Sequence, residues 1–386
     1  MDFDDTPEQR QLRDAVAALG RRYGHEYYLE KAKSGGHTTE LWNEAGKLGY
    51  LGVSIPAEYG GGGGGITELA IVCEELSAAG CPLLLLVVSP AIVATILARH
   101  GTEAQRQRYL PAIADGTAKV VFAITEPEAG SNFHRLGTVA RREGDGWLLS
   151  GRKCFISGVD QAQHVLVVAR TADEATGKLK PALFLVPTDA PGLTRSQLDM
   201  EIVATDKQFL LYLDDVRLPA DALVGEDPEV GLPALFAGLN PERITIAAGS
   251  VGTGRYALSR AVSYASARSV WGRPIGTHQG VAHPLAHAQI QVELARLMVA
   301  KAAARYDAGR DLEAGTAANM AKYAAAEAAA LAVDTAIQSM GGNGMTTEYG
   351  VATLLGMTRA TRIAPVSREM ILNYIAQHVL GQDRSY

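Results

Sequence analysis

The spacing of apolar residues changes twice along the 386 residues, and this double change constrains the fold more than any other feature. In the first third, Leu12, Val16 and Leu19 follow helical spacing, after a Thr6 to Gln9 segment that carries the residues of a helix capping box. In the middle third, short runs of β-forming residues alternate with Gly, Pro and Asp turns. Ala-rich helical spacing then returns and continues towards the end of the chain.

These periods predict a multidomain α and β protein. Residues 1–118 are expected to form an N-terminal helical domain, residues 119–228 a small antiparallel β-barrel, and residues 229–386 a four-helix bundle. The bundle helices are predicted over residues 242–269, 285–308, 316–340 and 367–380. On the second of them, Ile290, Leu294, Leu297 and Met298 have the spacing of a packed apolar face.

The composition is that of an ordinary globular protein, with 47% hydrophobic and 20% charged residues. A net charge of −6 provides no overall attraction to nucleic acid or anionic lipid. The three cysteines include no C-x-x-C pair, so we expect no metal site and a reducing compartment. The acidic N-terminus lacks a signal-peptide pattern, and the apolar stretch 81–97 is too short and interrupted to span a bilayer. We therefore predict a cytoplasmic protein without a membrane span.

Two suggestive patterns lack the residues that their chemistry requires. The six glycines at 60–65 are not followed by the Lys-Ser or Lys-Thr of a phosphate-binding loop, so a flexible loop is the better interpretation. His283 and His287 have zinc-ligand spacing but no adjacent glutamate, and Pro284 interrupts the motif.

Four sequence blocks carry the chemistry. They are FAITEPEAGSN at 122–132, KCFISG at 153–158, RSVWGRPI at 268–275 and QSMGGNG at 338–344. The first places hydroxyls and free backbone amides directly after a predicted strand, where they can donate to a flavin or a phosphate. Taken alone, that block could be a polar turn and the last one a plain helix C-cap.

Together and in this order, the blocks resemble the acyl-CoA dehydrogenase family along nearly the whole chain. The resemblance implies an FAD-dependent enzyme that converts an acyl-CoA, or another acyl thioester such as one on a carrier protein, to the 2,3-enoyl thioester. It also implies a homotetramer that passes electrons to an electron-transfer flavoprotein. The helical domain, β-barrel and bundle of the family agree with the predicted domains.

The resemblance also assigns roles to individual positions. Thr125 is expected at the isoalloxazine edge, Ser131 at both the diphosphate and the substrate, and Arg268 at the diphosphate, where a forked and permanently charged donor is suited. The predicted FAD-binding residues are Phe122, Ile124, Thr125, Ser131, Phe155, Ser157, Arg268, Trp271, Gln279, Gln338, Gly341, Gly342 and Ser367. Of these, Gln338 and the two glycines would approach the adenosine end from another subunit.

The chain departs from the family at the catalytic base. Family members commonly place a glutamate near the C-terminus, but the aligned segment 362–369 reads RIAPVSRE, with Pro365 at the base position. The isovaleryl and long-chain enzymes place their glutamate on a bundle helix before an arginine, and Glu242-Arg243 matches that pattern. Glu242 is therefore predicted to be the general base. The alternative is that Glu242 is an early helix residue interacting with the helix dipole.

Further substrate contacts are predicted for Ser131, Asn240, Arg243 and Ala364. The small Ala364 stands where straight-chain enzymes have a large tyrosine, which predicts a branched or bulky acyl group. Pro365 has no amide hydrogen to donate to the thioester carbonyl. Because of this loss, two alternatives stay open, a flavin-dependent oxygenase on the same fold and a catalytically silent flavin- or thioester-binding subunit.

Overall fold

The computed structural model describes residues 4–172 and 177–384. Its N-terminal part is helical, as the periodicity predicts. The Thr6 hydroxyl accepts from the Gln9 amide and the Gln9 side chain accepts from the Thr6 amide, so the predicted capping box is confirmed. The helices are α1 (Pro7–Lys33), α2 (Thr39–Lys47), α3 (Ile66–Ala78), α4 (Leu84–Leu86), α5 (Thr95–His100) and α6 (Glu103–Ala114).

The apolar stretch around Pro90 is a buried helical segment. Between α4 and α5 the chain forms a π-helix over Val87–Ala94, in which nearly every side chain is buried. The Ser89 hydroxyl, itself buried, accepts a 3.1 Å hydrogen bond from the Val120 amide. This bond links the helical layer to the first strand. In the part of the chain that the structure describes, no helix is long and apolar enough to cross a membrane.

The middle part forms one seven-stranded sheet. The strands are β1 (Val120–Ala123), β2 (Val139–Glu143), β3 (Gly146–Ser157), β4 (His164–Ala172), β5 (Leu179–Pro187), β6 (Leu193–Leu198) and β7 (Gln208–Leu218). Their order is β1-β4-β2-β3-β7-β6, with β5 also paired to β4. The pairs β2–β3, β3–β7, β4–β5 and β6–β7 are antiparallel, whereas β1 and β2 run parallel to β4, so the sheet is mixed rather than wholly antiparallel.

The C-terminal part returns to helices. Three long helices pack together, and two shorter helices follow them. A small β-hairpin lies between the first and second long helices. The elements are α7 (Gly231–Ala267), β8 (Ser269–Val270), β9 (Arg273–Pro274), α8 (Gln279–Asp307), α9 (Asp311–Met340), α10 (Leu354–Ile363) and α11 (Arg368–His378). The predicted boundaries near 118 and 228 fall between α6 and β1 and between β7 and α7.

The first bundle helix begins eleven residues before its predicted start. Pro241, which indicated a helix boundary in the sequence, lies inside the helix. A proline in a helix leaves the carbonyl four residues earlier without its amide donor. That carbonyl belongs to Ala237, and the Tyr306 hydroxyl donates to it over 3.1 Å. The tertiary contact therefore satisfies the group that the local sequence leaves unpaired.

Three of the four residues in the predicted apolar row on α8 are not packed within the chain, so the prediction is wrong for them in a single subunit. The fourth, Met298, is half-buried and packs against the core. Ile290, Leu294 and Leu297 are 56%, 53% and 47% exposed. The face of α8 that contacts its neighbours consists mainly of small residues, such as Ala288, Ala295 and Ala302. An exposed apolar row of this kind is typical of a surface that contacts another molecule.

Candidate active site

Glu242 lies on α7, two residues after Asn240, which belongs to a cluster of polar side chains in the bundle. The Arg243 guanidinium donates to the Asn240 and Asn319 side-chain oxygens over 2.9 and 2.8 Å, and Asn240 donates to the Asp311 carbonyl over 3.2 Å. The side chains of Asn240 and Arg243, both predicted to bind substrate, thus bond to each other and to α9. This network fixes the turn of α7 that carries Glu242.

The carboxylate of Glu242 is half-buried. Burial raises its pKa to about 7, although the positive charges of Arg243 and Lys322 oppose that change. Within residues 4–172 and 177–384, no hydrogen-bond donor contributes to holding it ionised. A carboxylate with its pKa near neutrality and no fixed partner has the properties of a general base.

Lys322 connects the Glu242 region to the segment where Pro365 replaces the usual base. It lies on α9, is 1% exposed, and donates from Nζ to the Val366 carbonyl. Burial lowers the pKa of Lys322 to about 8, against the attraction of nearby carboxylates that include Glu242. In the same segment Ala364 is exposed, and the Ser367 hydroxyl accepts from the Met370 amide at the start of α11.

The end of β1 and the segment after it carry the first group of predicted FAD contacts. Phe122 is buried in the core, whereas Ile124 and Thr125 are partly exposed and Ser131 is exposed. Two residues after Ser131, the Phe133 ring contacts the Phe236 ring of α7 edge-on, with centroids 6.3 Å apart. This contact brings the loop that carries Ser131 to the helix that carries Glu242.

Strand β3 presents two predicted flavin contacts. Phe155 has a left-handed φ of 56° and is 59% exposed, which is unusual for a bulky aromatic residue. The Ser157 hydroxyl donates to the Gln208 side-chain oxygen over 3.1 Å, and the Gln208 amide group lies 2.9 Å from the same hydroxyl. Gln208 therefore orients Ser157, a contact for which the sequence carries no signal.

The β8–β9 hairpin and the end of α9 present the remaining predicted contacts. Trp271, at a φ of 50°, is 88% exposed at the hairpin turn, and Arg268 and Gln279 are exposed on either side of it. At the end of α9, Gln338, Gly341 and Gly342 are exposed as well. The structure thus leaves these predicted residues on open surfaces, away from the Glu242 turn in sequence.

These surfaces fit a flavin dinucleotide. Two exposed aromatic residues, Phe155 and Trp271, offer apolar area that no described part of the chain covers. No described carboxylate pairs with Arg268, so its guanidinium is free to bind a diphosphate. In the loop between β1 and β2, no described acceptor takes the amide hydrogens of Gly130 and Ser131, which suit an anion or a carbonyl.

Family models of acyl-CoA dehydrogenases match all three parts of the chain. The N-terminal domain model matches residues 6–117, the middle domain model residues 121–216, and the C-terminal domain model residues 229–380. The chain belongs to the acyl-CoA dehydrogenase family. It is an FAD-dependent oxidoreductase that acts on a CH–CH bond of an acyl-CoA, which confirms the predicted family, fold class, enzyme class and cofactor.

Individual relatives agree with this assignment. The acyl-CoA dehydrogenase FadE12 of Mycobacterium tuberculosis strain H37Rv is 60% identical over 384 residues, which are 100% of this chain and 99% of that protein. The glutaryl-CoA complex of glutaryl-coenzyme A dehydrogenase has a TM-score of 0.93 at 30% identity, covering 100% of this chain and 98% of that one. Glutaryl-CoA dehydrogenase of Mycobacterium smegmatis in complex with FADH2 has a TM-score of 0.88 at 27% identity, covering 99% and 96%.

Proposed function

We propose that this enzyme uses Glu242 to remove the α-proton of an acyl-CoA thioester with a branched or bulky acyl group. The observation that carries the proposal is the half-buried Glu242 carboxylate, whose pKa burial raises to about 7, on the same helix as Phe236, which contacts Phe133 in the loop that carries Ser131. Pro365 leaves the other family position without a carboxylate. Bound FAD supplies the two-electron oxidant that accepts the hydride from the β-carbon.

The chain's own residues perform the proton chemistry. Ionised Glu242 takes the α-proton, and a pKa near the working pH keeps it partly ionised without making it too weak a base. Lys322 and Arg243 favour the carboxylate form electrostatically. Phe122 lies in β1, and Ile124, Thr125 and Ser131 follow it. Because the loop that carries Ser131 contacts the helix that carries Glu242, we place the cofactor between the sheet and the bundle.

Asn240 and Arg243 act on the substrate chiefly through Glu242. Because Arg243 bonds to Asn240, Asn319 and the Leu239 carbonyl, most of its donors are already occupied. A guanidinium in such a network holds its helix turn in place. We therefore interpret Arg243 as a positioning residue, with Asn240 its partner, and place the direct contacts to the thioester at Ser131 and near Ala364.

Ala364 supports the preference for a branched acyl group. It follows α10 in an extended conformation and is exposed beside Pro365. A methyl side chain at this position leaves space that a tyrosine would fill. The proposed electron acceptor is an electron-transfer flavoprotein, as the family resemblance implies. A thioester on a carrier protein instead of CoA would bind the same reacting groups.

The experiment is an anaerobic titration of the oxidised holoenzyme with butyryl-, octanoyl-, isobutyryl- and isovaleryl-CoA, followed by flavin absorbance. We expect rapid bleaching with the branched thioesters and slower bleaching with the straight ones. Glu242→Gln should bind the same thioesters but bleach at least about a thousandfold more slowly. Ala364→Tyr should move the preference towards the straight chains.

Other outcomes would reject the proposal in distinct ways. Equal bleaching by wild type and Glu242→Gln would remove Glu242 as the base. Fast reduction by octanoyl-CoA alone would remove the branched substrate. No bleaching by any CoA thioester, with oxygen consumed once a reductase is supplied, would favour the oxygenase alternative, and no reaction at all would favour the silent subunit.

We also infer a homotetramer in which the exposed row of Ile290, Leu294 and Leu297 on α8 contacts a second copy. Burying such a row stabilises association by about 25 cal/mol for each Å² of apolar surface removed from water. Leu294→Lys should lower the mass measured by light scattering, and it should weaken FAD retention if Gln338 reaches a neighbouring subunit's cofactor. Leu48→Lys, a similarly exposed leucine on the N-terminal domain, is the control and should leave the mass unchanged. An unaltered mass for Leu294→Lys would reject this interface.

A further inference from the structure

A buried ion pair lies beneath the cofactor-facing loop and has no part in the chemistry above. The side chain of Lys153 on β3 is 0% exposed and that of Glu126 is 6% exposed, and Lys153 Nζ lies 2.8 Å from Glu126 Oε1. Burial opposes ionisation of Glu126, but Lys153 and hydrogen bonds from the adjacent chain outweigh it, so the pKa of the carboxyl is lowered. Glu126 is therefore held ionised. Burial lowers the pKa of Lys153 to about 8, although the Glu126 carboxylate opposes that change.

The pair fixes the three residues that follow β1. Lys153 Nζ donates to the Ile124 carbonyl over 3.0 Å as well as to Glu126. Between these two contacts, the Cys154 amide donates to the Thr125 carbonyl over 2.9 Å. Consecutive residues of β3 thus bind consecutive residues of the segment that contains Thr125, the position predicted at the edge of the flavin ring.

The other side of the pair closes the loop that carries Ser131. The Glu126 carboxylate accepts from the amides of Gly137 and Thr138, the latter over 3.0 Å. Ser131 lies near the middle of the segment between those anchor points. Glu126 therefore joins both ends of the loop, and Lys153 joins that closed loop to the sheet.

Stability alone does not explain such a pair. A buried ion pair is often no more stabilising than apolar residues of the same volume, because both charges must be removed from water. What an ion pair that is hydrogen-bonded to three backbone groups provides is a defined geometry, since each donor and acceptor has a fixed direction. The groups held in this way are the backbone of Thr125 and the two ends of the Ser131 loop.

We propose that Lys153 and Glu126 are positioning residues for FAD, holding the loop of residues 124–138 in the conformation that binds the cofactor. Neither side chain touches the flavin. Their effect passes through the Thr125 backbone and through the loop that presents Ser131 and the free amides of residues 130 and 131. This inference rests on the family's cofactor and is independent of which acyl group is oxidised.

The test uses the holoenzyme with Lys153→Met, Glu126→Gln and the double variant. Lys153→Met alone leaves a buried carboxylate unpaired and can prevent folding, whereas the double variant is uncharged and of similar volume. When the proteins are diluted, the double variant should release FAD at about tenfold higher protein concentration than wild type does, as measured by flavin fluorescence. Hydrogen exchange should accelerate in residues 124–138 and stay unchanged in the helical domains. Glu126→Gln alone, which cannot accept from both amides, should give an intermediate loss.

The control is an ion pair in the helical domains, outside this loop. Glu75 on α3, 5% exposed at its side chain, pairs with Arg255 on α7, 33% exposed, over 2.6 Å, and Glu75 also pairs with Arg13. The Glu75→Gln/Arg255→Met double variant should lower the melting temperature without weakening FAD retention. If the Lys153/Glu126 double variant retains FAD as wild type does, or if the control pair loses FAD equally, the proposal is wrong. This comparison does not measure activity with any acyl-CoA. A failure of the positioning proposal is therefore distinguishable from a failure of the proposed function.

Discussion

Replacing Glu242 by glutamine should stabilise the fold at neutral and alkaline pH while removing the proposed base. Burial raises the pKa of Glu242 from the ordinary value of 4.5 to about 7. An acid with a raised pKa in the folded state retains its proton there after the unfolded chain has released it. Stability associated with this group is therefore complete below the unfolded pKa and is lost as the pH rises through the folded pKa.

The magnitude follows from the two pKa values. At 1.36 kcal/mol for each pKa unit, the interval from 4.5 to about 7 corresponds to a loss of about 3.4 kcal/mol at alkaline pH, as an upper value. About 2 kcal/mol of this loss falls between about pH 5.5 and pH 8. Glutamine has no charge at either pH. The unfolding free energy of Glu242→Gln relative to wild type should therefore increase by about 2 kcal/mol from pH 5.5 to pH 8.

The assay is urea unfolding of wild type and Glu242→Gln at the two pH values, at constant free FAD. Every other titrating group is common to both proteins, so the change in their difference isolates Glu242. Glu293→Gln, whose side chain is 50% exposed on α8, is the control and should show no pH-dependent difference of this size. If the unfolding free energies of Glu242→Gln and wild type differ by the same amount at both pH values, water reaches the carboxylate freely. The argument that burial raises the pKa of Glu242 then fails.

Three further predictions concern the same site. The rate of flavin reduction by substrate in single-turnover experiments should rise with pH through about 7, because only ionised Glu242 accepts the proton; a rate independent of pH between about 5.5 and 8 would contradict this. Lys322→Met removes the bond to the Val366 carbonyl and also the positive charge that favours ionised Glu242. The pKa of Glu242 should therefore rise, and the pH profile of flavin reduction should shift to higher pH. The exposed Lys301→Met on α8 should leave the profile in place, and a shift common to both variants would refute the specific role of Lys322. Arg268→Lys loses forked hydrogen bonding and should retain FAD about tenfold less tightly on dilution, measured by flavin fluorescence, while Arg141→Lys on β2 should match wild type; equal retention by Arg268→Lys would remove Arg268 from the diphosphate site.

Much of the site could be predicted because its motifs are contiguous in the sequence. The FAITEPEAGSN block places Thr125 and Ser131 after a strand, and the structure has β1 ending at Ala123 directly before them. Glu242 was predicted to be the base because Pro365 occupies the position where the family usually has a glutamate, and this role stays a prediction. Lys322 was not predicted, because a lysine in an Ala-rich helix is expected to be exposed to solvent. In the structure it is 1% exposed and donates to the Val366 carbonyl.

Contacts between distant segments could not be predicted. Lys153 stands in a recognised block, but its pairing with Glu126 depends on how β3 lies beside the end of β1. Strand β6 was not predicted, since four of its six residues are exposed and its apolar signal is weak. The early start of α7 was missed because Pro241 indicates a helix break, and only the Tyr306 hydroxyl from α8 makes an unbroken helix compatible with it.

The sequence alone determined the order of the three parts and the family, and it predicted the residue types at the cofactor, because helical and strand periods and short motifs are local properties of a chain. The tertiary structure alone decided which charges are buried and what they hold: the pKa of Glu242 near 7, the Arg243 network, and the Lys153–Glu126 pair beneath the loop. It also decided that the apolar row of α8 faces outward. The physical reason is that burial and charge–charge distance arise only when segments far apart in sequence pack together, and these quantities set the chemistry of an ionisable group.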